Sequence, residues 1–163
     1  GEITYSLIAP MGMFSKNIIE SYREICGCII KGLSYMGIKA EFIPINDIVV
    51  DGKKISGNAQ TRRNNVLLQH GTILHDVDVH RMFSVLKVSD EKIKDKLIKN
   101  VQDRVTCIQN FKKISMDKTY QSLLKGFTEG KQFDEEELTE TEIERAIELA
   151  GSRYSDRKWN FMR

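Results

Sequence analysis

Apolar and polar positions along this 163-residue chain change their spacing several times, and each change marks an element. Glu2 to Ala9 (EITYSLIA) reads as a strand from the outset, with no cap or turn before it, like a strand from the middle of a sheet. Pro10 to Met13 is a turn, and Ser15 is the expected N-cap of a helix. Ile18, Tyr22, Ile25, Ile29, Leu33 and Met36 then recur at steps of three and four, one apolar helical stripe that Gly37 closes at the C′ position. Ala40 to Ile43 is a short strand broken by Pro44. Ile48 to Val50 is another, Asp51-Gly52 a hairpin turn, Lys53 to Ser56 the start of the return strand, and Val66 to Leu74 a further strand.

The second half is helical. Asp76 to Lys87 predicts a short helix with Val79, Met82, Phe83 and Leu86 inward, and Ser89 caps a second one to Lys99 with a solvated lysine face. Val105 to Phe111 fits a strand or an extended loop. Ser115 to Glu129 is a helix through Tyr120, Leu123, Leu124 and Phe127. Thr139-x-x-Glu142 is a capping box for the last helix, with Ile143, Ala146, Ile147 and Ala150 as its buried stripe and Gly151 at its end. The tail is polar, anchored by Trp159 and Phe161. The class is α+β.

Bulk numbers narrow the function classes. The length suits one domain with a real core. Hydrophobic residues at 40% and charged residues at 29% describe an ordinary globular chain. A net charge of +2 argues against nucleic acid as the main partner. No apolar run reaches the roughly 18 residues of a membrane span. Cys26, Cys28 and Cys107 form no CxxC pair, and free thiols predict a reducing cytoplasm.

Chemistry concentrates between Asn46 and Leu74, NDIVVDGKKISGNAQTRRNNVLLQHGTIL. Glycine turns at Gly52 and Gly57 flank Lys54, and Asn46, Asp47, Asn58, Gln60, His70 and Thr72 gather around it. A lysine on such a scaffold sets one positive charge against a carboxylate or phosphate. Strand alternation turns its neighbour Lys53 to the opposite face. Arg62 and Arg63 read as a surface charge cluster, with either residue free in principle to meet an acidic acceptor domain. His70, His75 and His80 stand five apart, on no common face and without cysteine partners, so zinc is not expected.

The block NDIVV at Asn46, KISGNA at Lys54 and HGTIL at His70 resembles the lipoate–protein ligase family, within the biotin and lipoate ligase superfamily. GEITYS at Gly1, DRVTCI at Asp103 and YSDRKWNF at Tyr154 are weaker matches in the right order, so the likeness spans nearly the whole chain. It implies a class II aminoacyl-tRNA synthetase/biotin ligase-like catalytic domain over residues 1–163, a central mixed or antiparallel sheet flanked by helices. The family's R-R-x-x-G-G-G segment does not precede Gly1 in this sequence. That implies a catalytic domain whose N-terminal strands lie on another chain or segment, with the accessory domain separate or absent.

The resemblance also implies the chemistry. ATP with Mg²⁺ activates lipoate as lipoyl-AMP, and the acyl group passes to a lysine of lipoyl domains in 2-oxoacid dehydrogenase acyltransferases or the glycine-cleavage H protein. Lys54 is the catalytic cation in this reading. Asn46, Asp47, Gly57, Asn58, Ala59, His70, Gly71 and Thr72 bind substrate or nucleotide, Asn46 and Asp47 either by binding phosphate or by positioning Mg²⁺, a hard cation that oxygen ligands suit. Two alternatives stand beside it: lipoyl or octanoyl transfer without adenylation, and a non-catalytic subunit that binds lipoyl domains. Some transferases of the superfamily carry a cysteine nucleophile just before the position of Pro44, where this chain has Phe42-Ile43.

Overall fold

The computed structural model describes residues 1–78, 81 and 103–162. Except for 76–78 and 81, the helices expected over 76–87 and 89–99 lie outside these, as does His80. The chain divides into two compact units, Gly1–Glu129 and Gly130–Arg163.

The first unit is built on five antiparallel strands: β1 (Glu2–Pro10), β2 (Glu41–Ile43), β3 (Asp47–Val50), β4 (Lys53–Arg63) and β5 (Val66–Leu74). Their order is β1-β5-β4-β3-β2. Both tight hairpins use two residues with positive φ, the backbone that matches strand twist. Asp51 and Gly52 stand at 49° and 74°, and Asn64 and Asn65 at 53° and 60°. The first turn is the one expected from Asp51-Gly52; the second, at Asn64-Asn65, was not expected, and the strand that starts at Lys53 runs on to Arg63.

One face of this sheet is covered. Helix α1 (Ile18–Tyr35) lays Cys26, Ile29 and Leu33 against Ile48, Val50, Ile55 and Ile73. Its N-cap is Asn17, whose Oδ1 accepts from the Glu20 amide at 3.1 Å, while Ser15 Oγ instead receives the Asn17 amide at 3.2 Å. Ile18, placed in the stripe by spacing alone, is exposed. Helix α2 (Ile108–Phe111) is a single turn, where a strand or an extended loop was expected. Ahead of it, Val105 makes one parallel bridge to Lys54, and the Thr106 amide donates to the Lys54 carbonyl at 2.9 Å.

Helix α3 (Met116–Thr128) is capped by Ser115 and packs on α1 through two glycines. A methyl on Gly126 would stand 2.3 Å from the Cys28 carbonyl oxygen, and one on Gly32 2.8 Å from the Leu123 Cα. Only hydrogen allows the two backbones to come so close.

The second unit holds α4 (Glu140–Leu149), a π-helical turn (Ala150–Tyr154) and α5 (Arg157–Asn160). The capping box is present: the Thr139 amide donates to Glu142 Oε2 at 2.8 Å, and Thr139 Oγ1 accepts from the Glu142 amide at 3.3 Å. The predicted burial is not. Ile143 and Ile147 are exposed, because this unit has no second layer of its own to cover the stripe. Gly151 does not end the helix, which continues through the π turn. Trp159 packs edge-on to Tyr154 beneath the Arg153 guanidinium, and Phe161 is exposed.

Candidate active site

Alternation along β4 and β5 sorts the central block onto two faces. Asn58, Gln69, Gly71 and Ile73 are buried on the helix side, so Gly57, Ala59, His70 and Thr72 lie on the open side. Strict alternation would place Lys54 with Ser56, under the helices. A bulge prevents this: Ile48 pairs with Ser56 and Val49 with Lys54, leaving Ile55 as the extra residue. Ile55 and Ser56 are therefore both buried, and Lys54 is turned to the open face.

There Lys54 folds over Gly57, which continues the strand rather than turning it as expected from sequence. A methyl at Gly57 would lie 2.8 Å from Lys54 Cε and Nζ. The ammonium meets Asp47 Oδ1 at 2.6 Å, an ion pair without the alignment of a directed hydrogen bond. The Lys54 side chain keeps 42% of its surface exposed, so the charge remains available from the open side. Register places Asp47, Gly57, Thr72 and Thr4 in one row across the sheet, and Ala59, His70 and Ser6 in the next. The structure thus brings together Lys54, Asp47, Gly57, Thr72, Ala59 and His70.

Asn46, Asn58 and Gly71 are placed differently. Asn58 Nδ2 donates to the Asn46 carbonyl at 2.9 Å, and Asn46 Nδ2 donates to the Asn58 carbonyl at 2.5 Å. Each amide is thus committed to the other residue's backbone. Gly71 is buried because a methyl there would stand 2.2 Å from Asn58 Oδ1 and 2.8 Å from Tyr5 Cε1. These three residues build the floor of the site. Among the described residues no group of three His, Cys, Asp or Glu could hold a metal ion.

The profile of the lipoyl protein ligase A/B catalytic domain matches residues 1–128. The chain belongs to that family. It has the α+β fold of lipoate and biotin ligase catalytic domains. The octanoyltransferase LipM of Geobacillus kaustophilus is 32% identical over 191 residues, covering 99% of this chain and 69% of that relative. A bipartite lipoate protein ligase from Thermoplasma acidophilum, solved in a study with its E2 lipoyl domain, superposes at a TM-score of 0.85 with 31% identity. That match covers 98% of this chain and 64% of the other. A lipoate-protein ligase A bound with ATP gives 0.78 and 27%, over 98% of this chain and 64% of the other. The chain therefore spans about two thirds of these relatives. The family catalyses lipoylation chemistry, and its members here include a named octanoyltransferase, so family membership does not carry ATP-dependent ligation with it.

Thiols are the remaining candidates for nucleophilic chemistry. Cys26 and Cys28 belong to α1, across the sheet from Lys54's ammonium. Burial pushes the Cys26 thiol up to about 12, with a contact from Gln69 Nε2 opposing the shift. Cys107 is buried as well. His75 is enclosed between Gln109 Nε2 at 2.8 Å and Thr119 Oγ1 at 3.0 Å, a structural histidine. Sequence reasoning missed Tyr5, Gln69 and the role of Arg62, which anchors the Ser15 and Lys16 carbonyls instead of lying free on the surface. The available signal was a strand polar on both faces, NAQTRR, beneath an apolar helix, since buried polar groups require partners there.

No helix among the described residues is long and apolar enough to cross a membrane.

Proposed function

We propose that this chain carries the catalytic part of an acyltransferase that moves a lipoyl or octanoyl group onto the lysine amine of a lipoyl domain. The observation that carries this reading is the Lys54 ammonium, turned by a bulge onto the open face and held over Gly57 by Asp47. When the acceptor amine attacks the acyl carbonyl, a C–N bond forms and negative charge gathers on the carbonyl oxygen. The bond to the leaving group then breaks. A preorganised cation at that oxygen stabilises the transition state more than the ground state. Asp47 keeps the ammonium in place, and Thr72, His70 and Ala59 line the face along which the acyl chain lies. The octanoyltransferase relative favours an acyl group that arrives already activated.

A second reading is ATP-dependent ligation through lipoyl-AMP, with ATP and lipoate as substrates. It is favoured by a specific observation: among the described residues, no exposed thiol stands on the Lys54 face to accept an acyl group. The similarity to the bipartite ligase points the same way. Both readings share the transfer step and the acceptor. A cytoplasmic setting fits either one.

The test uses the native polypeptide with a lipoyl domain in three arms: an octanoyl thioester, lipoyl-AMP, or lipoate with ATP and Mg²⁺. Intact mass of the lipoyl domain reads the product. Modification from the preactivated donors alone establishes the transferase, and modification from lipoate with ATP the ligase. An unmodified domain in every arm removes both.

A further inference from the structure

The helix side of the sheet carries a chain of polar side chains that the transfer step does not touch. It starts at Arg62, a group that only donates. Arg62 Nε donates to Gln60 Oε1 at 2.9 Å, and Gln60 Nε2 to Gln69 Oε1 at 3.0 Å. Gln69 Nε2 then donates to the Tyr5 hydroxyl at 2.7 Å, and that hydroxyl to Asn58 Oδ1 at 2.8 Å. Asn58 Nδ2 closes the series on the Asn46 carbonyl. Every link runs in one direction, from a cation to a backbone acceptor. Turning Gln60 around would set donor against donor and acceptor against acceptor, turning Gln69 would set its amide donor against that of Gln60, and turning Asn58 would set its oxygen against the Asn46 carbonyl, so Arg62 and that carbonyl fix the sense of the series from its two ends.

The far end lies one residue from Asp47. The Asn46 carbonyl also accepts the Asn58 amide at 3.1 Å, and the Asn46 side chain donates back to Asn58. Asn46, the residue that leads into Asp47, is thus tied to a single residue of β4 by three hydrogen bonds, two of them to its carbonyl. At the near end, Arg62 holds the carbonyls of Ser15 and Lys16 and the Ser21 hydroxyl, so the turn before α1 shares this anchor.

We propose that the relay Arg62–Gln60–Gln69–Tyr5–Asn58 positions Asp47, and through it the Lys54 ammonium, with Arg62 and Tyr5 as positioning residues for acyl transfer. This rests on the functional reading above and deepens it. Lysine reaches its site through four rotatable bonds, and Lys54 is steered by Asp47 and the notch at Gly57. A small displacement of Asp47 moves the ammonium off the developing oxyanion, and misplacement on the order of 1 Å costs up to about 100-fold in rate.

The native polypeptide tests this with two readouts. One is the ε-CH₂ resonance of Lys54 in protein labelled with ¹³C-lysine, assigned by its loss in Lys54→Arg. The other is single-turnover acyl transfer to a lipoyl domain. Tyr5→Phe and Arg62→Met, which break the same series at different links, are each expected to shift the resonance. Each should lower the transfer rate about 10-fold without changing acceptor KM. The double variant should be no slower than the slower single, since one break already uncouples the ends. Arg62→Lys should recover part of the rate. Ile29→Val, a core change outside the relay, should leave both readouts at wild type. An unmoved Lys54 resonance in folded Tyr5→Phe and Arg62→Met, or losses that multiply in the double variant, would overturn the proposal. If the wild type transfers nothing, the functional reading fails by itself, while the resonance still decides whether the relay holds Lys54.

Discussion

Lys54 reaches back over Gly57, closely enough that a methyl on that glycine would touch both its Cε and its Nζ at 2.8 Å. The intruding contact is with the end of a flexible side chain, which can swing aside at little cost to the fold. Gly57→Ala is therefore expected to keep stability within about 1 kcal/mol of wild type and to lower acyl transfer at least about 10-fold, by driving the ammonium from Asp47. Urea midpoints and single-turnover rates on one preparation check both halves of this.

Gly71 should behave in the opposite way. A methyl there would meet Asn58 Oδ1 at 2.2 Å, Tyr5 Cε1 at 2.8 Å and the Gly57 carbonyl oxygen at 2.9 Å. Asn58 is buried, the half-buried Tyr5 is hydrogen-bonded through its hydroxyl to Asn58 and Gln69, and the third group is backbone, so none moves freely. Gly71→Ala is expected to cost about 2–3 kcal/mol in urea unfolding, and its activity should fall with the folded fraction.

Gly126 makes the same case between helices. Its added methyl would stand 2.3 Å from the Cys28 carbonyl oxygen and 2.6 Å from the Gly32 amide nitrogen, both on α1. Gly126→Ala should separate α3 from α1 and lower the thermal midpoint by several degrees, with a loss of about 3 kcal/mol. Gly12→Ala, where a methyl meets nothing within 4 Å, is the matched control.

The Cys26 thiol is raised by burial from an ordinary 9.0 to about 12, and burial pushes the Tyr5 hydroxyl up as well. Raised acids stay protonated in the folded chain while the unfolded chain releases its protons, so stability is full below pH 9 and is lost as pH climbs toward 12. Urea midpoints at pH 7 and pH 10 should show this loss, and Cys26→Ala should reduce it. At pH 8, iodoacetamide should modify the partly exposed Cys28 and spare Cys26.

Much of this arrangement was legible in the residues. The three strong motifs led to Lys54, and Asp51-Gly52 and Thr139-x-x-Glu142 gave the hairpin and the cap that the structure contains. What spacing did not reveal was the bulge at Ile55. Without it, simple alternation places Lys54 beneath the helices, so the choice of Lys54 rests on the motif and not on the period. Asn46 and Asn58 looked like ligand groups because exposed and buried amides are identical in sequence, and only the fold shows them bound to each other. Ile143 and Ile147 illustrate the reverse. A helical stripe records that burial is possible, and it does not supply a covering layer.

The most direct test of the central claim compares Lys54→Ala with Lys53→Ala in the transfer of an acyl group to a lipoyl domain, read by the domain's intact mass. A lone cation stabilising an oxyanion contributes on the order of 10²–10³ in rate. Lys54→Ala should lose that much at unchanged folding, and Lys53→Ala should remain near wild type. Equal rates for the two variants would contradict the account.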